Sequence, residues 1–134
     1  MTWLLDTNVW IQYLKSGTHP VRRRIAASPR TELRTCSIVK AELWHGAQRY
    51  LKSQARRALV DQTIAPLISL PFDDAAADHY ARIRHVLEQQ GQVIGGNDLL
   101  IAAICLANDC TLVTSNTAEF SRVPGLMCED WSQP

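Results

Sequence analysis

Apolar residues fall along this chain in two alternating rhythms: short continuous runs, and longer stretches in which they recur every three or four positions. The short runs are Trp3-Leu4-Leu5, Leu33 to Cys36, Leu67 to Leu70, Thr111 to Thr114 and Gly125 to Cys128, and each reads as a buried strand. The longer rhythm predicts helices between them. Asp6-Thr7-Asn8 is helix-capping chemistry ahead of a helix over Val9 to Leu14, which Gly17 ends. A second short helix runs over Val21 to Ala27. Ser37 is the expected cap of a helix from Val39 through Leu51, with Val39, Leu43, Ala47 and Leu51 on one face. Gln54 to Ile64 continues helically until Pro66 closes the stretch. Pro71-Phe72-Asp73-Asp74 opens a long helix to about Gln90, with Asp73 and Asp74 as its caps. After a Gly91 to Gly96 loop, Asp98 to Asn108 is almost wholly apolar, as a helix packed on a sheet should be.

Strands that are continuous apolar runs, separated by helices, imply an α/β fold with a mostly parallel sheet covered on both faces. With 134 residues and no repeat, linker or low-complexity tract, the chain is expected to be one domain, 1–134. An apolar fraction of 46% with 20% charged residues excludes disorder, collagen-like repeats and a disulfide-dense miniprotein. Asp6 follows Met1 too closely for a secretory leader, and no apolar run approaches the roughly 20 residues that span a bilayer. The four cysteines (Cys36, Cys105, Cys110, Cys128) form no C-x-x-C pair. A cytoplasmic protein with buried, reduced thiols is the expectation.

The acids carry the candidate chemistry. In an open parallel sheet, ligands bind at the carboxyl ends of the strands. Asp6 ends the first strand, Glu42 lies about one turn into the helix after the second, and Asn116 and Glu119 follow the Thr111 to Thr114 strand. Asp98 begins the apolar helix, but spacing alone does not bring it to the same edge. Carboxylates gathered within a few ångströms repel one another and imply a cation. Mg²⁺ and Mn²⁺ are hard ions that take carboxylate and water oxygens, and they can activate water for an in-line phosphodiester displacement. Singly, Asp6 and Asp98 are also good helix-start residues, where free N–H groups and the dipole favour a carboxylate.

Other patterns are weaker. Glu42-Leu43-Trp44-His45 spells Glu-x-x-His, but a di-iron site needs a second copy, and none exists. The Gly91 to Gly96 segment lacks the Gly-Lys-Ser/Thr of a phosphate loop. Trp10, Tyr13 and Trp44 sit at helical spacing and read as core. The net charge of +1 hides an asymmetry: with Asp6, Glu42, Asp98 and Glu119 given to a metal, the remainder carries +5. The bases cluster as Arg22-Arg23-Arg24, Arg30 with Arg34, and Arg49, Lys52, Arg56 and Arg57. An acidic pocket within a basic surface is the layout of a nuclease.

Four segments together resemble a known family: Leu4-Leu5-Asp6-Thr7-Asn8-Val9, Ser37 to Leu43, Ile94 to Ala103, and Leu112 to Phe120. They resemble the PIN-domain ribonucleases, and most closely the VapC-type toxins of bacterial toxin–antitoxin pairs. The resemblance implies a three-layer α/β/α fold and a Mg²⁺- or Mn²⁺-dependent endoribonuclease. It implies Asp6, Glu42 and Asp98 as metal-binding catalytic acids. The family's fourth acid is often an Asp where this chain has Asn116, so either Asn116 or Glu119 completes the set. Ser37 matches a hydroxyl that can orient a site water. Structured RNA, often tRNA, a cognate antitoxin and a homodimer are the implied partners, with no membrane. Two other readings stand beside this one: a non-catalytic RNA- or partner-binding module of the same fold, and a phosphatase using Asp6 as nucleophile.

Overall fold

The computed structural model describes residues 1–15 and 17–134. Its elements run β1 (Trp3–Leu5), α1 (Thr7–Leu14), α2 (Pro20–Ala27), β2 (Leu33–Cys36), α3 (Ser37–Ala47), α4 (Ser53–Ile64), β3 (Ile68–Leu70), α5 (Asp74–Gln89), α6 (Gly96–Ala107), β4 (Thr111–Val113), α7 (Thr117–Phe120) and β5 (Cys128–Glu129). The strands form one five-stranded sheet in the order β3-β2-β1-β4-β5, and every pairing is parallel. The chain therefore starts at the centre, builds outward through β2 to β3, and returns to lay β4 and β5 on the other side of β1. Right-handed crossovers place α1 to α4 over one face and α5 to α7 over the other, giving three layers.

Burial on both faces explains the apolar runs of the central strands, whereas β3, expected to be buried, lies at the sheet edge with Ile68 and Ser69 exposed. Leu4, Leu5, Leu33, Cys36, Leu112 and Val113 are fully buried, and so are Ile101 to Cys105 of α6. Truncating one of these leucines to alanine would cost roughly 2–5 kcal/mol. Trp10 belongs to the same core, edge-on to Tyr13 at 5.6 Å. Asp73 caps α5 as expected, accepting from the Ala76 amide at 3.0 Å.

Several boundaries depart from expectation. Helix α3 stops at Ala47, and Leu51, the last member of the expected apolar stripe, is fully exposed. Consecutive short-range bonds (Gln48 N–H to His45 O, Arg49 N–H to Gly46 O, Tyr50 N–H to Ala47 O) tighten the chain into turns there. Ser37 is the first residue of α3 and not its cap; Cys36 stands at the cap and makes no side-chain cap bond. The last strand lies at Cys128–Glu129, because Gly125 occupies a turn with φ +80°. Helix α7 is one turn long, too short for a periodic signal. All four cysteines are free thiols, but Cys128 is only half-buried. No helix among the described residues is long and apolar enough to cross a membrane.

Candidate active site

Strand order reverses at β1, and the crevice at the carboxyl ends of the central strands is where such sheets take ligands. Leu5 of β1 is in register with Val113 of β4, so Asp6 and Thr114 leave the sheet side by side. The Thr114 hydroxyl donates to Asp6 Oδ2 at 2.9 Å, and the Thr7 backbone N–H donates to Oδ1 at 2.8 Å. Asp6 is thus both the cap of α1 and the innermost acid of the crevice, only 5% exposed. Burial pushes its carboxyl above the ordinary range, against the pull of those two donors.

Glu42 lies on the flank of α3, beside the buried Val39-Leu43-Ala47 face. Its Oε1 accepts from the Thr7 hydroxyl at 2.6 Å, and its Oε2 from the Asn97 side-chain amide at 3.4 Å. Thr7 therefore holds Asp6 with its backbone and Glu42 with its side chain.

Asp98, in the first turn of α6, does come to this edge. It meets Glu119 of α7 above Gly95, where a Cβ would sit 3.7 Å from an Asp98 oxygen and 3.9 Å from a Glu119 oxygen. The Gly95 N–H donates to Glu119 Oε1 at 2.8 Å and holds that carboxyl below its ordinary range, and the Asn116 side-chain amide donates to Oε2. Asp98 is pushed up to about 7, first by burial and then by the charges of Asp6, Glu119 and Glu42, with a hydrogen bond to Glu119.

The structure brings all four expected acids into one electrostatic cluster. Asn116 adjoins it but spends its amide on Glu119. Ser37 is exposed and makes no hydrogen bond to the cluster among the described residues. Thr7, Thr114, Asn97 and Gly95 were missed as site residues. Only Thr7 carried a local signal, read as capping, because the contacts of the others join segments far apart in sequence.

The donor set is all oxygen and carries more negative charge than its surroundings balance. Among the described residues no three His, Cys, Asp or Glu side chains stand close enough together to hold a metal ion between them. A hard, hydrated cation fits this arrangement, since it binds through one or two carboxylates and keeps waters for the rest. The basic clusters divide. Arg49 and Arg56 line a groove that shares Glu42 with the crevice. Arg30 and Arg34 instead donate to the carbonyls of Ile25 and Thr31, and Arg24 lies over Trp131 beside Glu129. Arg122, outside the expected clusters, is the cation near Glu119.

Fold and site together define an α/β protein with a carboxylate centre at the switch point of a parallel sheet. The model of the PIN domain family matches residues 3–126. Ribonuclease VapC2 of Rickettsia felis is 32% identical, over 99% of this chain and 100% of its own length. The tRNA(fMet)-specific endonuclease VapC of Shigella flexneri is 33% identical over 98% of this chain and 99% of its own. In the crystal structure of DNA-bound VapBC from Salmonella typhimurium, a chain of 33% identity superposes with a TM-score of 0.91, covering 98% of both chains. The chain belongs to the PIN-domain family and, within it, to the VapC ribonucleases. Nucleases of that family work with a divalent cation, in keeping with the all-oxygen donor set.

Proposed function

We propose that this chain is an endoribonuclease toxin whose centre holds Mg²⁺ or Mn²⁺ through Asp6 and Asp98, with Glu42 and Glu119 completing the acidic set. One observation carries the reading: Asp6, Glu42, Asp98 and Glu119 converge on one crevice, with Asp6 buried and Asp98 beside Glu119 above Gly95, a charge conflict that a cation resolves. The chemistry such a cation supplies is Lewis-acid activation of water and neutralisation of phosphate charge. Asp6, fixed by Thr7 and Thr114, anchors the site. Glu42, fixed by Thr7 and Asn97, orients water and receives its proton. A phosphatase using Asp6 as nucleophile would usually carry a second Asp two residues on, where this chain has Asn8.

Structured RNA, and tRNA in particular, is the proposed substrate, supported by the name of the Shigella flexneri relative. A cognate antitoxin is the proposed inhibitor, supported by VapBC complexes among the structural neighbours. A homodimer is the proposed assembly, as the family resemblance implies.

The test incubates purified chain, freed of any partner, with total tRNA and Mn²⁺ or Mg²⁺, beside EDTA and Asp6→Asn controls. Discrete fragments ending in 5′-phosphate and 3′-hydroxyl, absent from both controls, are expected. A 2′,3′-cyclic phosphate product, or cleavage that survives EDTA, would overturn the mechanism.

A further inference from the structure

The groove beside Glu42 has chemistry that the carboxylate centre does not use. It lies between α1, α3 and α4 and encloses about 200 Å³. Leu43, Ala47 and Val60 form a buried apolar floor. Glu42 forms one wall, so the groove opens directly from the acidic cluster. Its rim carries Arg49, Tyr50 and Arg56, with the Arg56 guanidinium 4.4 Å from the half-exposed Tyr50 ring.

Gly46 of α3 also lines this groove, and nothing within the chain requires a glycine there. It is helical, where glycine weakens the helix relative to alanine. Its φ is not in the left-handed region, and a Cβ placed on it meets no atom within 4 Å. The missing side chain leaves open space over the groove for something outside the chain.

We propose that this groove is a nucleotide subsite: the base next to the cleaved phosphodiester lies against Gly46 and the apolar floor, and its phosphate is held by Arg49 and Arg56. This rests on the ribonuclease reading above. Charge favours RNA as the occupant. A phosphate chain approaching four carboxylates is repelled, and these two arginines line the same cavity as Glu42. Shape favours a base, whose apolar faces pack on apolar and aromatic groups once it is unstacked from its neighbours.

The test uses the full chain, Mn²⁺ and a single-stranded RNA with a mapped cleavage site, made also with an abasic nucleotide at each position flanking the cut. One abasic position should lower wild-type kcat/KM roughly tenfold. Gly46→Leu, which fills the groove, should itself be roughly tenfold slower and insensitive to that abasic position. Its melting temperature should be no lower than wild type, since leucine is the better helix former, and its calorimetric Mn²⁺ affinity should match wild type. Arg49→Ala, at an exposed position, should reduce the salt dependence of RNA binding in EDTA by a slope of about 0.7. Equal abasic losses in both proteins, or a fully active Gly46→Leu, would overturn the subsite; the second result would give the groove to a partner protein. Wild-type cleavage lost in Asp6→Asn upholds the ribonuclease reading whichever way the groove behaves, and its absence would sink that reading first.

Discussion

The two halves of the carboxylate centre are built differently. Asp6 and Glu42 form one half, and each of their four oxygens accepts a hydrogen bond from Thr7, Thr114 or Asn97. Asp98 and Glu119 form the other. There Glu119 takes donors from Gly95 and Asn116, while Asp98 receives none among the described residues and instead keeps its proton up to about 7. The first half is organised in advance by the strand register and the start of α1. The second is left in conflict. A fold that installs a carboxylate without a donor, facing three others, leaves a place for a cation to displace the proton.

The largest expected effect separates the halves directly. Asp6→Asn and Asp98→Asn should each lower RNA cleavage by more than about a hundredfold, beyond what loss of a supporting hydrogen bond costs. Above pH 7 the metal-free melting temperature should rise by a few degrees in Asp98→Asn, which removes a repelled carboxyl that no donor holds. Asp6→Asn should gain less, because relief of its buried charge is offset by loss of the acceptor of the Thr114 hydroxyl. An equal or larger gain in Asp6→Asn would erase the distinction.

Next comes Thr7→Val, which keeps shape but takes the 2.6 Å donor from Glu42. A loss of roughly 10- to 100-fold in Mn²⁺ affinity or cleavage is expected, with Thr7→Ser restoring it. If serine rescues nothing, the threonine acts by packing alone. A smaller effect decides between Asn116 and Glu119. Glu119→Gln should weaken Mn²⁺ binding in calorimetry more than Asn116→Ala, because the Asn116 amide is turned onto Glu119. The reverse order would make Asn116 the ligand.

The smallest effect is in pH. The folded Asp98 holds its proton to about 7, against 3.8 ordinarily, so the native state binds more protons than the unfolded chain between those values. Metal-free stability should therefore fall as pH rises from about 4 through about 7, by a few degrees of melting temperature. Saturating Mg²⁺ should flatten or reverse that slope, since the ion takes the proton's place. A flat metal-free profile would remove the conflict assigned to the second half.

Legibility followed the range of the interactions involved. Trp3-Leu4-Leu5 reads as a strand and Asp6 as its terminal acid because both depend on adjacent residues. The Val39-Leu43-Ala47 stripe reads correctly, and Leu51 does not, because periodicity registers spacing and is blind to the turns after Ala47. Helix α7 was invisible because one turn has no period, and with it the placement of Glu119 was open.

By itself the amino-acid order determined the alternation of strands and helices, the parallel sheet, and the edge to which Asp6 and Glu42 go. Buried strands must be continuously apolar, and the residues that end them share one side of the sheet. Only the tertiary structure decided that Asp98 joins them, that Thr7 bridges Asp6 to Glu42, and that Asn116 faces Glu119. Asn116 meets Glu119 only because the chain turns into α7 between them. The contacts of Thr7 with Glu42 and of Asp98 with Glu119 join segments distant in sequence and depend on how far each helix is rotated about its axis. Core packing sets that rotation, and no local pattern records it.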